Sequence, residues 1–195
     1  IPGGYTFDNV ILRNEARVIA DNPLTINGAL RLESGSQLTH STGSEAGLEI
    51  TADNLFVDAA SSINVNGRGY RGGLRGGNPE NHGLTLGELP GSPRYSGGSF
   101  GGLGGVHSGD GPSQVYGNPS TPQYLGGGGG AGSSGRAGGN GGGRVHITLA
   151  GAATVDGFIT ANGAAGDWFQ SGGGAGGSTW FDVDSISTTD SSFSA

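Results

Sequence analysis

Arginine and tyrosine gather where this sequence is richest in glycine. Arg68, Tyr70, Arg71 and Arg75 lie close together, Arg94-Tyr95 follows, and Tyr116, Tyr124 and Trp168-Phe169 sit on later glycine-rich stretches. A guanidinium is a planar fork of donors matched to carboxylate or sulfate, and an aromatic face stacks on a sugar ring. If the stretches converge on one flank, Arg68, Tyr70, Arg71, Arg75, Arg94, Tyr95, Tyr116, Tyr124 and Trp168 form a surface suited to glycans. The same residues have a second reading: the forks bond loop carbonyls, and the rings pin backbone that has few side chains of its own. The sequence leaves both open.

Other chemistry finds less support. A polysaccharide lyase needs a cation to neutralise a uronate and a base to remove a proton, roles for which Arg71, Tyr70 and His107 are available. A glycoside hydrolase needs two carboxylates about 5 to 10 Å apart, and Glu80, Glu88 and Asp110 are sparse. His107, Ser108 and Asp110 contain the residue types of a nucleophilic triad, but serine is so common here that the match carries little weight. His40, His82, His107 and His146 have no metal-ligand spacing, and His146, between Val145 and Ile147, is expected to point outward from a strand. Asp182 and Asp184 share one side of a strand, either as a calcium-type oxygen pair or as a solvated acidic edge. No other cofactor is expected, and with no Lys in the chain there is no Walker loop. Ice binding would need a regular threonine ladder, and Thr25, Thr39, Thr51, Thr148 and Thr160 fall at irregular intervals.

Composition narrows what can position these residues. Glycine supplies 45 of 195 residues and hydrophobic types only 32%, which disfavours long helices and a doubly wound α/β fold. The glycines keep no three-residue period, so collagen is excluded. Nine arginines against sixteen acidic residues give a net charge of -7, an unfavourable balance for nucleic acid. Cysteine is absent, which removes disulfides and thiolate sites; methionine is absent too, as in a processed or excised piece. No run of 18 apolar residues is present, so no membrane insertion is expected.

Three regions follow. Residues 1–66 and 144–195 read as short apolar pulses, such as Leu30-Arg31-Leu32, Leu48-Glu49-Ile50 and Val145-His146-Ile147, alternating in the period of a strand with one buried face. Turn-tolerant pairs such as Asn27-Gly28 and Ser34-Gly35 separate them. Residues 67–143 hold 30 of the 45 glycines. Strands this short suit stacked coils, and repetition supports that choice: Leu55-Phe56-Val57 leads to Ile63-Asn64-Val65, Val145 to Leu149 leads to Phe158-Ile159-Thr160, and Trp180-Phe181-Asp182 leads to Phe193. The expected fold is all-β, a right-handed parallel β-helix in one domain of 195 residues, cut from a longer protein. Its glycine-rich loops are expected to be ordered, polyproline-II-like and on one flank, anchored by Phe100, Leu103, Tyr116 and Leu125.

The series Ile63-Asn64-Val65-Asn66-Gly67-Arg68-Gly69-Tyr70, the Gly-Gly clusters, Tyr116-Gly117-Asn118-Pro119, the polyglycine run and Gly142-Gly143-Arg144-Val145-His146-Ile147 resembles a glycine-rich repeat module of large secreted or surface-anchored bacterial proteins, many of them adhesin-like. Gly173-Gly174-Ala175-Gly176-Gly177-Ser178 is similar to the same module's punctuation. The resemblance spans residues 55–195 and brings no catalytic motif. It implies a secreted or cell-surface structural or adhesive module whose partners are glycans and neighbouring repeats of one parent chain. The alternative is a β-helix enzyme acting on acidic glycans.

Overall fold

The computed structural model describes residues 6–107, 113–118, 120–168, 170–189 and 192–195. Short strands follow one another through five circuits. The first three circuits are β1 (Thr6–Phe7), β2 (Val10–Leu12) and β3 (Arg17–Ile19); β4 (Leu24–Ile26), β5 (Ala29–Leu32) and β6 (Gln37–Thr39); then β7 (Leu48–Ala52), β8 (Asn54–Val57) and β9 (Ser62–Asn64). A small antiparallel pair, β10 (Leu84–Thr85) and β11 (Leu89–Pro90), lies in the glycine-rich region. The last two circuits are β12 (Arg144–Leu149), β13 (Ala152–Val155) and β14 (Phe158–Thr160), then β15 (Ser178–Asp182), β16 (Ser185–Ser187) and β17 (Ser192–Ser194). The chain is all-β with three parallel sheets, visited in strict rotation. The first sheet orders β1-β4-β7-β12-β15, the second β2-β5-β8-β13-β16 and the third β3-β6-β9-β14-β17.

Alternation fixes this arrangement. In β5 and β8 every second side chain is buried, and the parallel register stacks like on like: Leu30 on Leu55, Leu32 on Val57 and, in the third sheet, Leu38 on Ile63. Leu30, Leu32, Leu38, Leu55, Val57, Ile63, Ile147, Ala153 and Ile159 are all at most 1% exposed and belong to one core. Burying each large apolar side chain contributes roughly 1.5–3 kcal/mol, so a three-residue strand that could not persist alone is held by its columns. Gly35, at φ +78°, allows the corner between β5 and β6 to close.

The register also corrects the internal repeat. Val145–Leu149 pairs with Leu48–Ala52 in the first sheet, whereas Leu55-Phe56-Val57 belongs to the second sheet and pairs with Ala153–Val155. The expected match aligned strands that occupy different sheets because both are followed by a third-sheet strand.

Both long glycine-rich segments connect the third sheet to the first, one between β9 and β12, the other between β14 and β15. They bond to each other at three-residue intervals. Along residues 126–131, Gly126 and Gly129 donate N–H to the carbonyls of Gly142 and Gly139. Their own carbonyls accept from Tyr70 and Gly73, while those of Gly127 and Gly130 accept from Ala175 and Gly172. Gly128 and Ala131 donate to Leu84 and Asn81. A period of three is that of a polyproline-II helix, which has no internal hydrogen bonds and leaves every peptide group for a neighbour. Side chains cannot enter: a Cβ at residues 126–130 would overlap, in turn, the carbonyl oxygens of Gly176, Ser99, Arg71, Gly172 and Pro93.

Of the expected anchors, Leu125 is fully buried, and Phe100 and Tyr116 are half-buried with ring centroids 5.3 Å apart. Leu103 is 63% exposed and anchors nothing; Gly101, Gly102 and Gly105 around it are exposed as well.

Candidate functional site

The arginine–tyrosine group is drawn inward. Arg71 donates Nη1 to Glu88 Oε1 at 3.0 Å and Nη2 to the Thr42 carbonyl at 3.2 Å. Arg75 donates Nε to the Gly138 carbonyl at 2.7 Å and pairs with Asp167 at 2.5 Å, joining the two glycine-rich segments. Arg94 directs Nε and Nη2 at the Gly132 carbonyl and lies 4.9 Å from the Tyr95 ring centre. Arg68 reaches Thr42 Oγ1 at 3.4 Å. The forks are occupied by loop carbonyls, hydroxyls and carboxylates.

The rings behave alike. Tyr70 is 1% exposed and donates its hydroxyl to Glu45 Oε1 at 2.8 Å. Tyr116 donates to the Leu125 carbonyl at 2.7 Å and stands edge-on to Tyr70 and Tyr124, at centroid distances of 6.2 and 6.4 Å. Burial pushes both the Tyr70 and Tyr116 phenols up, and the Glu45 carboxylate raises Tyr70 further. That is opposite to what a base requires, so Tyr70 does not fit the lyase role. Tyr95 packs on His107 at 5.0 Å, Tyr124 is 38% exposed, and Trp168 is 69% exposed with the Arg136 guanidinium 5.7 Å from its ring centre. The structure thus brings Tyr70, Tyr116 and Tyr124 together with Phe100. It does not bring the nine residues to one open surface.

Ser108 and Asp110, and Phe169 beside Trp168, lie outside the described residues. Asp182 and Asp184 are both exposed, and among the described residues no group of three His, Asp or Glu side chains is placed to hold a metal ion.

A different group converges on the outer face of the first sheet. Its parallel register aligns Thr6, Thr25, Thr51 and Thr148, with Asp182 next in the column. The first three are exposed, Thr148 is partly so, and neighbouring strands lie about 4.8 Å apart. This overturns the inference from irregular intervals: the spacings along the chain differ because connections of different length separate strands that stack in register. Thr39, by contrast, is fully buried, and Thr160 belongs to the third sheet.

Beside this column runs a second one, Glu49, His146 and Trp180. His146 points outward as its alternation predicts, with Nδ1 3.7 Å from Glu49 Oε1 and its ring 5.2 Å from that of Trp180, tilted by 31°. Arg144, 9% exposed and two residues before His146 on β12, holds the carboxylate: it donates Nη2 to Glu49 at 3.0 Å and Nη1 to the Ala46 carbonyl. The result is a polar, ring-bearing strip laid across the strands: a carboxylate held by an arginine, an imidazole, an indole and a row of hydroxyls.

No family model, curated protein or solved structure matches the chain. Sequence reasoning missed Glu49, Trp180 and the threonine column. The signal was present in the parallel patterns Leu48-Glu49-Ile50-Thr51 and Val145-His146-Ile147-Thr148, which align once residues 67–143 are set aside.

Proposed function

We propose that this chain is a non-catalytic, glycan-binding structural module of the adhesin-like kind, built as a right-handed parallel β-helix and working outside the cell. Strict rotation through three parallel sheets supports the β-helix, and the right hand follows from the strong preference of parallel crossovers. The resemblance to glycine-rich modules of secreted proteins supports the setting, with neighbouring repeats of one parent chain as structural partners. One observation carries the binding role: the Glu49-His146-Trp180 column beside the aligned threonine hydroxyls. An indole offers a flat apolar face to a sugar ring while hydroxyls, imidazole and carboxylate meet its hydroxyl groups. With Glu49 and Asp182 on the strip and a net charge of -7, neutral glycans suit it better than polyuronates.

Affinity electrophoresis and a glycan array test this. Retention by neutral polysaccharides should weaken at least roughly tenfold in Trp180→Ala, the equivalent of about 1.4 kcal/mol. Arg94→Ala, at a carbonyl-bound fork, should leave retention unchanged. Unchanged binding in Trp180→Ala, or loss in Arg94→Ala with the fold intact, would refute the placement.

A further inference from the structure

The two glycine-rich connections each make a tight turn, the turns lie side by side, and one arginine there breaks the pattern of occupied forks. In the connection from β9 to β12, Gly132 donates N–H to the Arg136 carbonyl at 2.8 Å; in that from β14 to β15, Ser171 donates N–H to the Trp168 carbonyl at 3.0 Å. Ser133 Oγ, bonded to Gln170 Oε1 at 3.1 Å, and Asp167 N–H, donated to the Ala137 carbonyl at 3.0 Å, join the turns. Ser134 and Gln170 take left-handed backbone, at φ +55° and +66°, as does Tyr95 at +68°, whose N–H reaches the Ala131 carbonyl. Residues other than glycine hold that conformation at a cost, and such strain gathers where a segment is kept in shape for use.

Arg68, Arg71, Arg75 and Arg94 all direct their guanidinium groups at backbone carbonyls, hydroxyls or carboxylates. Arg136 does not. It is exposed, and among the described residues its guanidinium meets only the Trp168 indole, 5.7 Å from the ring centre. Trp168 is 69% exposed, more than any other large apolar side chain among the described residues. A cation beside an exposed ring is held weakly and keeps its donors free. Arg75, on the Gly138 carbonyl, and Arg94, on the Gly132 carbonyl, flank the pair, and Asp167 is the one carboxylate in ion-pair contact with any of the three among the described residues. On a chain of net charge -7 the paired turns are thus a cationic spot.

We infer that the paired turns are a second binding site, for an acidic sugar: the sugar ring lies on the Trp168 indole and its carboxylate or sulfate group is taken by the Arg136 fork. An indole face suits the apolar face of a sugar ring, and a guanidinium meets either oxyanion with two parallel donors. Arg75 and Arg94 keep the local potential positive while their own forks stay on carbonyls. The site is made by connections between circuits and shares no residue with the first-sheet strip, where Glu49 and Asp182 favour neutral glycans. It stands whether or not that strip binds.

Biolayer interferometry against immobilised dextran sulfate, polygalacturonate and unmodified dextran tests this. The Trp180→Ala variant serves as background, so that the first-sheet strip does not contribute, and an ionic strength of about 0.15 M screens charges more than about 8 Å apart. At least one of the two anionic polymers should be held, and dextran should not; which of them is held tells sulfate from carboxylate. Arg136→Gln and Trp168→Ala should each weaken capture at least roughly tenfold, the loss expected for one charge-assisted hydrogen bond or one stacked ring. Arg17→Gln removes the same charge from an exposed position on β3 and should change nothing. If circular dichroism shows Trp168→Ala unfolded, Arg136→Gln alone decides. Capture of neither anionic polymer, equal capture of dextran, or undiminished capture by Arg136→Gln overturns the inference. So does an equal loss in Arg17→Gln, which would mark attraction to charge in general.

Discussion

Replacing Gly128 by alanine tests whether the glycine-rich segments are one close-packed body. A Cβ at this position would overlap the Arg71 carbonyl oxygen. The same locality holds two backbone hydrogen bonds, Gly128 N–H to the Leu84 carbonyl at 2.9 Å and Leu84 N–H to the Arg71 carbonyl at 2.8 Å. Relief of the overlap requires the segments to separate, which breaks both. A buried polar group left without a partner costs about 1–3 kcal/mol, so Gly128→Ala should lose about 2–6 kcal/mol. That is a large share of the 5–15 kcal/mol or so that holds a typical domain together. Gly76 is the matched control: it is exposed, a Cβ there meets nothing within 4 Å, and its φ lies outside the left-handed region. Gly76→Ala should be neutral or stabilise by about 0.4–1 kcal/mol through the unfolded chain. Urea denaturation followed by tryptophan fluorescence reads both, with Trp168 reporting on the second glycine-rich segment and Trp180 on the last circuit. A Gly128→Ala variant within about 0.5 kcal/mol of wild type, the range of ordinary surface substitutions, would refute the close-packed account.

Ile63→Ala, in the fully buried third-sheet column between Leu38 and Ile159, should cost about 2–5 kcal/mol in the same denaturation assay. Asp167→Asn should cost less than about 1 kcal/mol, since the Arg75–Asp167 pair is 31% and 44% exposed by side chain. His40 is fully buried, with Nδ1–H donating to the Ser41 carbonyl and Nε2 accepting from Arg144 N–H. Burial, aided by Arg68 and Arg144 and opposed by the Ser41 bond and Asp21, holds its pKa below the ordinary 6.5. The unfolded chain therefore takes up the proton first: stability is complete above about pH 6.5 and falls on acidification at no more than about 1.4 kcal/mol per pH unit for this one proton, a slope that His40→Gln should remove.

The sheets were legible because alternation is local. Leu30-Arg31-Leu32 and Val145-His146-Ile147 state which side chains point inward without reference to any other strand. Register is not local, and two expectations failed on it. The repeat was aligned through Leu55-Phe56-Val57, which sits in the second sheet, and the threonine column was dismissed because its members are unevenly spaced along the chain. Pairing Ile50 with Ile147 across the inserted glycine-rich segment depends on where that segment leaves and returns, which composition does not reveal. The candidate site was hidden for the same reason. Glu49 and His146 are 97 positions apart, and only the register of β7 with β12 makes them neighbours.

The arginines drew the eye toward the glycine-rich segments, and the fold explains why they are there for another reason. A lattice of glycine-rich segments bonded at three-residue intervals satisfies its interior peptide groups through its own backbone, but its rim leaves carbonyls without a neighbouring segment. Side chains must reach these carbonyls, and glycine has none. Arg71 spans the Thr42 carbonyl and Glu88, Arg75 the Gly138 carbonyl and Asp167, and Arg144 the Ala46 carbonyl and Glu49. Each meets a carbonyl and a carboxylate with one planar group, which a fork of fixed donors does without reorganising and a single ammonium does less well. The carboxylate in each pair offsets the charge that the carbonyl alone would leave in a half-buried place. Arg71, on the first glycine-rich segment, reaches the Thr42 carbonyl in the connection from β6 to β7 and so ties that segment to the circuits, whereas Arg144 of β12 joins the Ala46 carbonyl of the same connection and Glu49 of β7. Arg75 ties one glycine-rich segment to the other. In a chain whose cations are all arginine, this bridging geometry accounts for the cluster without any ligand. The reading proposed above therefore rests on the first-sheet face, where Trp180 and Thr148 are partly exposed and Thr6, Thr25 and Thr51 are exposed.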